Sequence, residues 1–236
     1  MPMMPYVSPE QAMKDKADYA RKGISRGKSV VAVAYDGGVL FVGENPSTTL
    51  RKISEIYDRI AFAAVGKYNE FEQLRVAGIR LADAKGYQYA REDVTGRALA
   101  NAYAAALGGA FTESFKPFEV ELLVAEIAGD GVELYHILYD GSIGDEEGFV
   151  AIGGSAEAIN ERLKEAFRPG MSRDQALQSA RQALVGAEDR QIGAERLEVA
   201  GLDRHRGRRK FFRMTPAAVA SALAPADDEA SARADR

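Results

Sequence analysis

The sequence predicts an α+β fold, a four-layer αββα sandwich of two antiparallel sheets, each covered by a pair of helices. Three observations predict it. Valine- and alanine-rich segments come in pairs joined by glycine turns, as hairpins do. Those segments are apolar on consecutive residues, so both faces of each strand need cover. Two pairs of amphipathic helices separate the strand groups, and each pair needs a sheet face to lie on.

The first element is a helix ending near Lys22, in which Ser8, Pro9, Glu10 and Gln11 supply a cap, a first-turn proline and a capping-box glutamine. Gly23 is its expected stop. Its apolar face, Ala12, Met13, Ala17, Tyr19 and Ala20, is too weak to hold a helix alone. It must lie on something, in this chain or the next. The segment KSVVAVAYDGGVLFVG, residues 28–43, is a hairpin turning at Asp36, Gly37 and Gly38, and RIAFAAVG, residues 59–66, is a third strand. Two helices follow. One, over 70–85, places Phe71, Leu74, Ala77, Gly78 and Leu81 on a stripe; the other, over 95–115, carries Leu99, Ala102, Tyr103, Ala106, Leu107 and Phe111.

The second half repeats the plan. Strands over 119–128 and 132–139 join through Gly129, Asp130 and Gly131, and a third covers 149–153. A helix over 156–167 is closed by Pro169 and Gly170, and another opens with the capping box Ser172 to Gln175 and runs to Val185. Strands over 196–202 and 210–214 finish the sandwich, and TPAAVASALA adds a short helix. The expected organisation is a flexible segment at 1–7, one αββα domain at 8–223, and a polar, charge-mixed, disordered tail at 224–236.

Composition narrows the function classes. With 46% apolar and 28% charged residues in 236, the chain can bury a large core as a soluble globular protein. No apolar run approaches the ~20 residues that span a bilayer, and MPMMPYVSPE lacks the basic flank and apolar stretch of a signal peptide, so cytoplasm and no membrane partner are expected. The absence of cysteine excludes disulfides, thiolate metal sites and cysteine nucleophiles. A net charge of −4 argues against a nucleic-acid binder, although DRHRGRRKFFR at 203–213 is a basic cluster with aromatics; an exposed turn is the simpler reading. His136 and His205 lack the spacing of a zinc site, and no cofactor or metal is expected. Ser142 and Ser155 do not fit the nucleophile-elbow pattern, and Gly153 and Gly154 precede no phosphate-loop motif.

The string SPEQAMKDKADYARKGISRGKSVVAVAYDGGVLFVGENPSTTLRKISEIYDRIAFAAVGKYNEFEQLR resembles the α subunits of the bacterial, actinobacterial type of proteasome core particle. DVTGRALANAYAAALGGAFTESFKPFEVELLVAEI and YDGSIGDEEGFVAIGG extend the likeness, which spans residues 8–214. The resemblance implies the N-terminal nucleophile hydrolase fold and a non-catalytic subunit whose seven-membered rings of identical chains stack on catalytic β subunits, admit unfolded protein and dock a ring-shaped ATPase or other activator. It implies that Lys52, in Arg51-Lys52-Ile53, receives the activator's C-terminal carboxylate, an ammonium-carboxylate pairing favoured in a partly desolvated pocket.

In hydrolases of this fold the opening strand begins at a threonine, serine or cysteine whose own α-amine is the general base. Here Lys28 stands at that place and Ser29 follows, inside the chain, so no catalytic residue is expected. Glu44 and Lys52 occupy the places of the acid and lysine that assist the nucleophile in β relatives. The alternative is an active threonine or serine peptidase of the same fold, which would need a processed chain start. Archaeal and eukaryotic α subunits carry a Tyr-Asp-Arg element near the start, whereas Tyr6 here is followed by Val7 and Ser8, leaving Ser8, Pro9 and Tyr19 as matching points of cap and ring contact. Proline bars a helix before Ser8, and Met1, Pro2, Met3, Met4, Pro5, Tyr6 and Val7 offer apolar side chains to cluster at a pore axis as a gate.

Overall fold

The computed structural model describes residues 8–129, 131–188 and 191–224, with the Glu188 side chain left out. The segment 1–7 read as a gate, and all but the first residue of the tail, lie outside them. Strand β1 (Val30–Tyr35) turns at Asp36 and Gly37 into β2 (Gly38–Glu44), pairing Val30 with Gly43 and Tyr35 with Gly38. Gly38 has a φ of +154°, and a Cβ there would lie 2.0 Å from the Leu202 carbonyl oxygen. Only glycine lets the next strand approach so closely.

The remaining strands are β3 (Ile53–Tyr57), β4 (Ile60–Gly66), β5 (Val120–Ala128), β6 (Gly131–Ile137), β7 (Ile143–Asp145), β8 (Phe149–Ile152), β9 (Leu197–Asp203) and β10 (Phe211–Arg213). They form two five-stranded sheets, β10-β9-β2-β1-β8 and β3-β4-β5-β6-β7, in which neighbouring strands run antiparallel. Helices α2 (Tyr68–Gln88) and α3 (Gly96–Glu113) cover the second sheet, burying Phe71, Leu74, Leu99, Tyr103 and Leu107 against Phe62, Leu122 and Val124. Helices α4 (Ala156–Ala166), α5 (Arg173–Glu188) and α6 (Pro216–Leu223) cover the first, through Ile159, Leu163, Leu177 and Val219. Between the sheets, Val30, Ala32, Val39 and Phe41 share one apolar layer with Ala61, Ala63, Leu123 and Ala125. This is the four-layer sandwich that the hairpins and helix pairs predict.

Three details differ from the sequence reading. The edge strands β3 and β7 are additional to it. In α2 the buried stripe is Phe71, Leu74, Gly78 and Ala82, while Ala77 and Leu81 face outward, because the stripe advances in steps of four after Leu74. Helix α1 (Pro9–Ile24) runs through Gly23 instead of stopping there. A Cβ at Gly23 would fall 2.1 Å from Glu119 Oε2, so this glycine makes room for the start of β5.

Helix α1 lies on its own chain. Ala20 and Ile24 enter the inter-sheet layer, and the Lys16 ammonium donates to the carbonyls of Phe111, Thr112 and Ser114 at 3.0, 3.4 and 2.8 Å. These are the orphan acceptors at the C-terminus of α3, where a cation also opposes the helix dipole. Lys16→Met keeps the stem and removes the charge. It is expected to lower unfolding free energy by about 1 kcal/mol, read as a lower urea midpoint at unchanged slope.

The Tyr103 hydroxyl is buried against Gly78 and has no hydrogen-bond partner among the described residues. Its ring meets Phe62 at 5.6 Å between centroids. Tyr103→Phe keeps that contact and is expected to be neutral or to stabilise by up to about 1 kcal/mol. Burial pushes the phenol of Tyr103 above the ordinary tyrosine value, as burial followed by the Asp203 charge does for Tyr35. A raised folded-state value gives stability that is complete below about pH 10 and is lost as pH rises beyond it. The Phe variant is therefore expected to show a shallower alkaline decline in thermal midpoint.

Candidate functional site

The mouth of the sandwich, where β1 begins, β2 ends and β3 begins, brings together Lys28, Ser29, Glu44 and Lys52. Ser29 is 1% exposed, and its hydroxyl accepts the Ser155 N–H at 3.2 Å. Gly153, with φ +104°, and Gly154 let that loop press on Ser29 and Ser25: Cβ atoms there would meet Ser29 Cα at 3.0 Å and the Ser25 carbonyl oxygen at 2.4 Å. The glycine pair serves close packing as well as turning. In the intact chain the Ser29 nitrogen is an amide, without the basic lone pair that a terminal nucleophile uses as its general base.

Charged side chains gather around it. Glu44 is 1% exposed and lies 3.7 Å from Lys28 Nζ and 3.2 Å from Arg196 Nη2. Lys52 Nζ donates to the Lys28 carbonyl at 2.7 Å. Lys28 and Arg196 thus meet one buried carboxylate, and the Lys52 ammonium is held on the Lys28 backbone beside them. Beside the mouth a cavity of about 310 Å³ opens between the 45–51 loop and β10, with Arg51 and Arg213 in its wall.

Behind Lys52 stands Glu198, buried on β9. Its carboxylate accepts Asn45 Nδ2 at 2.6 Å, Arg213 Nη1 at 2.6 Å and the backbone N–H groups of Lys52 and Ile53 at 3.0 and 3.3 Å. Sequence reasoning missed this residue. The available cue was a lone carboxylate inside the apolar run 197–202.

Comparison with known proteins bears on what such a mouth belongs to. Residues 24–202 match the proteasome subunit family. This chain belongs to the proteasome family. It is 57% identical over 227 residues to the proteasome subunit alpha of Thermomonospora curvata, covering 95% of this chain and 99% of that protein. It is 59% identical over 211 residues to that of Streptosporangium roseum, covering 89% and 82%, and 57% identical over 229 residues to that of Frankia alni, covering 93% and 95%. The resemblance read from the sequence therefore holds, and the chain is a proteasome α-type subunit, the non-catalytic kind.

The other predicted residues of the subunit fall as follows. Ser8 caps α1, its hydroxyl accepting the Gln11 N–H at 3.2 Å, and Pro9 is the first helical residue. The Gln11 side chain, read as the return half of a capping box, instead donates along the helix to Asp15 at 2.7 Å. Tyr19 is 49% exposed, with Lys116 Nζ 5.6 Å from its ring centre. His136 on β6 pairs with Glu121 at 2.9 Å, and no group of three or more His, Asp or Glu among the described residues is placed to hold a metal. In the basic run, Arg209 pairs with Glu55 and Arg208 with Asp58, which also holds Arg91. No helix among the described residues is long and apolar enough to cross a membrane.

Proposed function

We propose that the chain forms the outer rings of a proteasome core particle. Seven identical copies close a ring by heterologous contacts, one face of each against a different face of the next, with α1 and Tyr19 in the contact. The ring stacks on β subunits, residues 1–7 gate the admission of unfolded protein, and a ring-shaped ATPase or other activator docks by its C-terminal carboxylate at Lys52. Residues 8–223 act as one domain, and the assembly works in the cytoplasm without a nucleic-acid partner.

The observation that carries this reading is the mouth itself: a hydrolase scaffold with its strand-start serine buried inside the chain and the Lys52 ammonium held at the Lys28 carbonyl beside it. The exposed tyrosine on α1 gives a ring neighbour an amphipathic surface to cover. The test is native mass and peptidase activity of the chain alone and after mixing with its β partner. Inactivity alone, followed by a large active complex on mixing, is expected. Peptidase activity from this chain alone, traced to a new N-terminal nucleophile, would overturn the reading.

A further inference from the structure

We propose that Glu198 is a positioning residue for the docking lysine, with Asn45 as its second support; this rests on the docking role proposed for Lys52. Lys52 leads into β3, an edge strand, and Glu198 sits on β9 of the other sheet. An edge strand has one neighbour in its sheet, so one side of its backbone needs other partners. Here the carboxylate supplies them. It takes the N–H of Lys52 at 3.0 Å and of Ile53 at 3.3 Å, while the Lys52 carbonyl accepts the Ala64 N–H at 3.1 Å. The backbone of Lys52 is thereby fixed from both sheets.

The neighbouring bonds extend the hold. Arg213 bridges Glu198 and the Ile53 carbonyl, both at 2.6 Å, so the two groups of Ile53 are tied to one ion pair. Asn45 gives its amide to Glu198 at 2.6 Å and to the Leu50 carbonyl at 2.7 Å, and its oxygen accepts the Ser47 N–H at 3.0 Å. The loop that delivers Lys52 is therefore closed on the same carboxylate. With backbone and loop fixed, the ammonium is set against the Lys28 carbonyl before any partner arrives, and a preorganised cation loses less entropy on binding a carboxylate.

Glu198→Gln tests this with little change of volume. The amide end turns an N–H₂ toward a cluster made entirely of donors, so the bonds to Lys52 and Ile53 cannot all survive. The first readout is the acetylation rate of Lys52 in assembled core particle treated with acetic anhydride, followed by peptide mass spectrometry with Lys164 as an exposed internal reference. The Lys52 rate relative to Lys164 is expected to rise several-fold in Glu198→Gln and, to a smaller extent, in Asn45→Ala. The second readout is protein degradation stimulated by the cognate ring ATPase. Glu198→Gln is expected to raise the ATPase concentration needed for half stimulation on the order of tenfold, the scale seen when supports behind a binding group are removed. In a Lys52→Ala background it is expected to add nothing.

An unchanged Lys52 acetylation rate in assembled Glu198→Gln particles overturns the proposal, as does an additive loss on top of Lys52→Ala. If Glu198→Gln does not assemble, Asn45→Ala carries the same two tests. A Lys52→Ala particle that is stimulated normally overturns the docking role instead, while the acetylation result still reports on Glu198.

Discussion

Replacing Lys52 with alanine is expected to reduce activator-stimulated protein degradation at least tenfold, because truncating one partner of a desolvated interfacial charge pair costs roughly 2–5 kcal/mol. The ammonium sits at the mouth of the sandwich, donating to the Lys28 carbonyl at 2.7 Å, and it leads the edge strand rather than filling the core. Assembly with β subunits and cleavage of very small peptides are therefore expected to persist. Lys52→Arg is expected to restore little, since a planar fork does not reproduce a compact ammonium held at one carbonyl. Added salt should weaken the wild-type stimulation and leave the residual activity of the alanine variant nearly flat. Unchanged stimulated degradation in Lys52→Ala, at normal particle mass, would show that the activator's carboxylate is received elsewhere.

The layers of the fold were legible because they rest on period and punctuation. Residues 28–43 and 59–66 carry consecutive apolar residues bounded by glycine turns, and they fall on β1, β2 and β4, interior strands buried on both faces. The edge strands were not legible. Ile53–Tyr57 mixes Ser54 and Glu55 with apolar residues and carries a register shift between Glu55 and Tyr57, which blurs the alternation that marks a strand. Ile143–Asp145 is three residues long and mostly outward-facing, too short to show any period. Gly23 misled for a different reason. A glycine near a helix end signals a stop when read locally, whereas the need met here is a notch for Glu119, a residue 96 positions further along the chain.

The candidate site was legible only where the sequence places chemistry at short range. Lys28, Ser29, Glu44 and Lys52 were singled out from the opening strand and its likeness to β relatives, and they do meet at one mouth. Glu198 lies 146 residues from Lys52 and reaches it because β9 pairs with β2, register Glu198 opposite Gly43, and faces the edge of the other sheet. Such a contact depends on sheet order, which a local pattern does not contain. The basic run at 203–213 illustrates the same limit from the other side: its arginines look like a polyanion patch in isolation, yet Arg208 and Arg209 are spent on Asp58 and Glu55 of the neighbouring hairpin.

The largest stability loss is expected at a second carboxylate of this kind. Glu126 on β5 is 2% exposed; one oxygen accepts Arg59 Nε at 2.6 Å and the other accepts the Gly96 N–H at 2.6 Å. It thus caps the N-terminus of α3, where the helix dipole also favours an anion. Gly96 permits the approach, since a Cβ there would lie 3.0 Å from Glu126 Cβ. Arg59 also donates to the carbonyls of Glu92 and Val94 at 2.9 and 3.3 Å, fastening the segment between α2 and α3. Arg59→Ala removes the counter-charge and leaves the carboxylate buried beside a helix end that supplies only a partial charge. The expected cost is about 3–5 kcal/mol, measured by urea unfolding. Arg59→Ala combined with Glu126→Leu is expected to recover part of that loss, because a buried apolar side chain replaces an uncompensated charge, while the Gly96 N–H and the Glu92 and Val94 carbonyls lose these partners. A loss under about 1 kcal/mol in the single variant would mean that water reaches Glu126 and screens its charge once Arg59 is gone.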